Sequence, residues 1–194
     1  MATEYEWKFK TDFATLVRIN ACFPEKSREF QMETVYYDTA DQALSSRHYT
    51  LRRRLENERS VCTLKTPAAE PNTRNEWETE NAHIENAIDE LIAQGAPEEL
   101  RELVKGGLFP ICGAKFVRIA KDFSFDGALL ELALDYGYLY GGDRKETLCE
   151  VELELKSGDI LACKRQAFQL VDTFGLEDEE RSKFARAFAL YKGE

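Results

Sequence analysis

TLCEVELELKS, residues 147–157, alternates strictly: Glu150, Glu152, Glu154 and Lys156 take one side, and Val151, Leu153 and Leu155 the other. Successive side chains on a strand point to opposite faces, so this stretch is a strand with one charged and one apolar face. The ordinary arrangement turns the apolar face to the core and the charges to water. Whether that holds here depends on the other strands.

Working outward, the same pattern recurs. EYEWKFK (4–10) sets Glu4, Glu6, Lys8 and Lys10 against Tyr5, Trp7 and Phe9. FQMETVYYDT (30–39) reads as a strand, and TLRRRLENERSVCTLKT (50–66) as a hairpin turning near Glu56–Arg59. In that hairpin Arg52 and Arg54 share a face, and Lys65 shares one with Val61 and Thr63. RNEWETE (74–80) alternates Arg74, Glu76, Glu78 and Glu80 with Asn75, Trp77 and Thr79. Residues 110–125 hold Arg118 opposite Val117 and Ile119; ALLELALDYGYLY (128–140), after a turn at Asp126-Gly127, sets Glu131 and Asp135 opposite Leu130, Leu132 and Leu134.

Between and after these strands lie amphipathic helices. Residues 11–21 carry a short helix with Thr11 or Asp12 as its cap. Residues 82–106 form a helical insertion broken at Gly95–Pro97, and the chain from 160 to 192 reads as two more helices. These helices need an apolar wall to cover. The strand charges are also segregated, acid-only on some strands and rich in Arg and Lys on others, unlike the mixed camouflage of a solvated surface. Both points reverse the ordinary assignment. The expected fold is α+β: an eight-stranded antiparallel β-tunnel, a closed barrel with a charged lumen, covered outside by helices. Tyr5, Trp7 and Phe9 then face outward. The whole chain, 1–194, makes a single domain.

Charges removed from bulk water must meet each other or a ligand. Glu4, Glu6, Glu150, Glu152 and Glu154 would repel one another unless a hard divalent cation joined them, and an all-oxygen set suits Mg2+ or Mn2+. Lys8, Arg52, Arg54, Lys65, Arg74 and Arg118 suit a multiply charged oxyanion. The two together point to a polyphosphate substrate. The net charge of −10 argues against a nucleic-acid or acidic-membrane partner. Five scattered cysteines without a CxxC pair read as free thiols, and no apolar run approaches the roughly 18 residues of a membrane span. A soluble cytoplasmic protein, monomer or homodimer, is expected.

The ordered motifs resemble those of the CYTH superfamily, the triphosphate tunnel metalloenzymes: Glu4-x-Glu6-x-Lys8, YYDT (36–39), LRRR (51–54), TLK (63–65), RNEWE (74–78), Arg118, ALDYG (133–137), EVELELKSGD (150–159) and RSKFARAF near the end. The resemblance is greatest to single-domain bacterial proteins related to inorganic triphosphatase. It implies a β-tunnel that hydrolyses triphosphate to diphosphate and phosphate with one or two Mg2+ or Mn2+ ions. It places Glu4, Glu6 and two of Glu150, Glu152 and Glu154 on metal, with Asp135 assisting. It puts Lys8, Arg52, Arg54, Lys65, Arg118 and Lys183 on phosphate. Glu152 or Glu154 would position or deprotonate the attacking water, with Lys8 beside the reacting phosphate; Glu76 and Glu78 would orient basic groups or water. The competing functions are a thiamine or nucleoside triphosphatase, a class IV adenylate cyclase, and a polyphosphate-binding module without catalysis. Arg186, one turn beyond Lys183, is the weaker candidate for a phosphate ligand, Lys10 is left without a role, and Tyr36 and Tyr37 are read as packing residues.

Overall fold

The computed structural model describes residues 5–68 and 74–194. Its elements follow in the order β1 (Glu6–Lys10), α1 (Phe13–Cys22), β2 (Arg28–Asp38), a 3-10 turn (Ser45–Arg47), β3 (Thr50–Glu56), β4 (Arg59–Pro67), β5 (Arg74–Glu80), α2 (Ile84–Ala93), α3 (Glu99–Leu103), β6 (Phe109–Phe125), β7 (Ala128–Gly141), β8 (Arg144–Ser157), α4 (Ile160–Phe174), β9 (Glu177–Asp178) and α5 (Lys183–Lys192). No helix is long and apolar enough to cross a membrane.

Local chemistry accounts for the boundaries. Asp12 accepts from the Thr15 amide at 2.8 Å and starts α1; Asp159 accepts from Leu161 at 3.0 Å and starts α4. Ser182 accepts from Ala185 at 3.1 Å and starts α5. The β6–β7 turn sits on Asp126 and Gly127, both at positive φ (47° and 78°), the geometry a two-residue hairpin turn demands.

All nine strands form one sheet in the order β5-β4-β3-β2-β6-β7-β8-β1-β9, and every paired neighbour is antiparallel. The α+β class stands, with two corrections. The sheet has nine strands, because Glu177–Asp178, expected within helical sequence, pairs with Phe9 and Lys10 at the edge of β1. Among the described residues no backbone pairing joins β5 to β1 or β9, so hydrogen bonds do not close a ring. The sheet nevertheless wraps one space: residues of β1 through β8 line a common cavity.

The outer apolar face is covered as expected. Phe9, Leu132, Leu134, Val151 and Leu153 pack against Leu16 and Ile19 of α1 and Ala162, Ala167 and Leu170 of α4. Leu51, Cys62 and Leu64 pack against Ile84, Ile88 and Leu91 of α2 and Leu100 of α3. The last helix departs from expectation. α5 lies on the inner face, where Ala187, Phe184, Phe188 and Leu190 meet Met32, Tyr36, Phe116, Leu139 and Leu148. Those strand residues share the parity of the charged positions, so one end of the lumen is apolar and α5 fills it. Gly141 permits the approach: a Cβ there would lie 2.4 Å from the Ala187 carbonyl and 2.4 Å from the Tyr191 amide.

Candidate active site

The cavity enclosed by the sheet measures about 1520 Å³. Its walls differ in charge. Arg52 and Arg54 of β3, Lys65 of β4 and Arg74 of β5 supply cations from one side. Glu6 of β1, Glu131 of β7, and Glu152 and Glu154 of β8 supply carboxylates from the other. Lys8 and Arg118 stand within the acidic wall, and α5 adds Lys183 at the closed end.

The register fixes the acidic wall. Glu6 faces Glu154 across β1–β8, and Glu154 faces Glu131 across β8–β7, so three carboxylates form one row. Like charges directly opposite on a sheet are destabilising, so the row needs cations. Lys8 lies 3.4 Å from Glu6, Lys156 lies 2.7 Å from Glu154 and 3.5 Å from Glu131, and Arg28 reaches Glu131 at 2.5 Å. The next row pairs Lys8 with Glu152; the one beyond pairs Lys10, Glu150, Asp135 and Arg118.

Deeper, the charges neutralise one another. Asp135 and Glu150 are both 0% exposed. Arg118 holds Asp135 through two bonds of 2.7 Å and also bonds Glu152. Lys183 lies 2.9 Å from Asp135 and 2.7 Å from Glu152, and bonds Glu150 as well. Arg186 reaches Glu150 at 3.0 Å and Glu146 at 2.5 Å. Burial opposes every charge here, and the pairing decides the outcome. Asp135 and Glu152 hold the Lys183 ammonium above its ordinary range despite burial. Burial would raise Glu152, but Lys183 and Arg118 hold it well below the usual carboxylate range. Glu150 goes the other way: burial, reinforced by Glu152, pushes it up to about 7 against the pull of Lys183.

The basic wall is less well satisfied. Among the described residues Arg52 has two distant acids, Glu76 and Glu78, each at 3.7 Å, and Lys65 pairs with Glu76 at 2.9 Å. Arg54 bonds Glu56 at 2.5 Å. The Nε atoms of Arg52 and Arg54 are buried without a hydrogen-bond partner. Burial first, and Arg52 next, pull the Arg54 guanidinium below its ordinary value. Buried donors of this kind call for an acceptor, and an oxyanion in the cavity would supply several.

Of the residues expected from sequence, the structure brings Glu6, Lys8, Arg52, Arg54, Lys65, Arg74, Glu76, Glu78, Arg118, Glu152, Glu154 and Lys183 to this cavity. Asp135 and Glu150 lie behind the wall, committed to Lys183, Arg118 and Arg186. Glu4 falls outside the described residues. Three contributions were missed. Glu131 completes the acidic row, a place its parity announced without its register. Arg186, 5% exposed, neutralises Glu150 and anchors α5. Glu56 faces the same cavity and holds Arg54. His48 and His83 are exposed.

The donor set suits a divalent ion. Glu6, Glu131, Glu152 and Glu154 offer carboxylate oxygens to the cavity, and no cysteine lines it among the described residues. Hard oxygen donors around a partly open space fit Mg2+ or Mn2+ and not a thiophilic metal.

The chain resembles known proteins in sequence and in fold. The chain is 28% identical over 162 residues to the inorganic triphosphatase of Haemophilus influenzae, matching 80% of this chain and spanning 44% of that relative's length. Among solved structures, a proposed adenylyl cyclase from Hippeastrum with a dominant triphosphatase activity superposes with TM-score 0.66 at 20% identity, covering 98% of this chain and 96% of that one. A proposed adenylate cyclase from Bacillus halodurans superposes with TM-score 0.59 at 16% identity, covering 94% and 96%. The model of the CYTH domain matches residues 2–188, nearly the whole chain, and the protein belongs to the CYTH domain family.

Proposed function

We propose that this protein hydrolyses inorganic triphosphate to diphosphate and phosphate, using Mg2+ or Mn2+, inside the cavity. The observation that carries this reading is the pairing of an under-satisfied basic wall with a row of carboxylates across one space. Lys8, Arg52, Arg54, Lys65, Arg74 and Arg118 would grip the phosphate oxygens. Arg does so through a fork of N–H donors and Lys as a point charge. Glu6, Glu131 and Glu154, with Glu4, would hold the metal, which when bound neutralises phosphate charge and orients the leaving group. Of the two late glutamates, Glu154 would take the proton of the attacking water on the oxygen it does not give to the metal, since its cation, Lys156, is 36% exposed and can turn away. Glu152 is bonded by Arg118 and Lys183 and held well below the usual carboxylate range, so it is a weak base. The water oxygen attacks the terminal phosphorus, its proton passes to Glu154, and the bridging P–O bond breaks to release diphosphate. Glu76 and Glu78 hold Arg52 and Lys65 in place.

An inorganic substrate is favoured because the cavity's aromatic residues are already engaged. Tyr36 packs on Phe184 at 5.0 Å between ring centres, and Phe116 is buried in the same cluster. The similarity to an inorganic triphosphatase supports the same choice. A panel of triphosphate, ATP and thiamine triphosphate with Mg2+ or Mn2+ tests it. Turnover of triphosphate, abolished by Glu6→Gln, is expected. Turnover of an organic triphosphate alone would refute the substrate, and full activity of Glu6→Gln would refute its metal role.

A further inference from the structure

The carboxylates of Asp135, Glu150 and Glu152 each present an oxygen within 4.8 Å of the others. An ion with oxygens at about 2.1 Å sets neighbouring ligands about 3 Å apart and opposite ones about 4.2 Å apart, so this trio has the span of a divalent site. The space between them already holds a cation. The Lys183 ammonium lies 2.9 Å from Asp135 and 2.7 Å from Glu152 and bonds Glu150. An ammonium has three donors; here it donates to Glu150 and Glu152 and forms an ion pair with Asp135. Arg118 and Arg186 take further lone pairs of the same acids.

We propose that Lys183 is a built-in cation filling the Asp135–Glu150–Glu152 site, so that the cavity takes one divalent ion, at the Glu6–Glu131–Glu154 row, and not two. This rests on the metal reading of the proposed function. Charge supports it: Lys183, Arg118 and Arg186 stand against the three acids, with Arg186 shared with Glu146, so the trio is already compensated from within the protein. A second divalent ion would have to expel the ammonium toward the Phe116 ring, whose centre is 5.5 Å away. Uncompensated, a charge so displaced is costly. Position supports it too. Lys183 is the first residue of α5, fixed by the Ser182 cap and by Arg186 one turn later. The outer row also meets cations, but these can leave: the side chains of Lys156 and Arg28 are 36% and 46% exposed, against 12% for Lys183, and can turn to water as an ion enters. Lys183 is therefore a positioning residue: it holds Glu152 and leaves the cavity's single ion to the outer row.

Mn2+ binding to the substrate-free protein, counted by electron paramagnetic resonance, tests this. Wild type should bind one Mn2+ per chain, Lys183→Met one more, and Lys183→Met/Glu150→Gln should lose the addition. Mn2+ should also raise the Tm of Lys183→Met by more than it raises that of wild type. Two ions in wild type, or no added ion in a folded Lys183→Met, would overturn the proposal. Should Lys183→Met fail to fold, the wild-type count decides alone, one ion supporting and two overturning. No ion in wild type but one in Lys183→Met would sustain the role of Lys183 while refuting the outer row as the metal site.

Discussion

Replacing Arg54 by Met should separate the two uses of charge in this cavity. Arg54 is largely buried, its Nε has no partner, and among the described residues its one ion-pair acid, Glu56, is also 3.8 Å from Arg59. Removing one partner of a buried pair costs about 3–5 kcal/mol when the other charge is left uncompensated. Glu56 keeps Arg59 and some contact with water, and the desolvation of the under-paired Arg54 is relieved, so the two effects should nearly offset and the Tm of the free protein should move by no more than about 4 °C. Binding should change far more. One lost charge-assisted bond costs about 1.5–3 kcal/mol, or about 10- to 150-fold in Kd. Triphosphate at 100 times the wild-type Kd stabilises wild type by about 2.7 kcal/mol; after a 30-fold loss the same concentration gives about 0.9 kcal/mol. The ligand-induced Tm shift should therefore fall about threefold. Thermal melts with and without triphosphate in EDTA, where turnover is stopped, and calorimetric titration under the same conditions read both quantities. A Tm drop in the free variant beyond about 4 °C together with a Kd within twofold of wild type would refute the reasoning, because Arg54 would then be a structural residue and not a phosphate ligand.

Other outcomes follow from the packing. Arg186→Met leaves Glu150 buried with Lys183 as its remaining cation, at a cost of about 3–5 kcal/mol. The melt should drop on the order of 10 °C, and adding Glu150→Gln should restore part of it; a drop under about 2 °C would count against the pairing. Gly141→Ala forces a Cβ against the backbone of α5 and should cost about 1–3 kcal/mol. Limited proteolysis should then find the C-terminal helix first, and an unchanged digestion pattern would contradict the inward position of α5. Burial pushes the thiols of Cys62 and Cys163 up to about 11 and that of Cys112 up to about 12. Only thiolates react readily, so at pH 8 the exposed Cys22 should label first and these three only after denaturation, as peptide mass analysis would show.

Much of this architecture was legible in strand parity. Glu152 and Leu153 differ in fate because a strand has two faces, and the helices over Leu51, Leu64, Val151 and Leu153 were needed to make the leucine side the wall. Parity does not report position along a strand. Leu148 and Leu139 share the parity of Glu152 and Asp135, yet they lie at the end of the lumen that α5 fills. An amphipathic stripe such as Phe184, Ala187 and Phe188 asks for an apolar surface without saying which side of the sheet supplies it. The roles of Glu131 and Arg186 come from cross-strand register and from a helix returning over distant strands, neither of which a local pattern encodes. The two ends of the sheet depend likewise on long-range pairing, so a local pattern neither reveals β9 nor tells whether β5 bonds β1; among the described residues nine strands pair in one sheet and no bond joins its ends.

Those two edges carry a consequence for solubility. An unpaired edge is a template on which another chain can add a strand. β9 is only two residues long and both are acidic, which leaves little to pair with. β5 is longer, but Arg74, Glu76, Glu78 and Glu80 occupy every second position along it. A strand arriving from a neighbouring molecule would have to cover those charges. The residues proposed to steady the phosphate clamp thus also guard the sheet against intermolecular β-pairing, and neutralising Glu76, Glu78 and Glu80 together should make the protein more prone to aggregate even where its activity is not being measured.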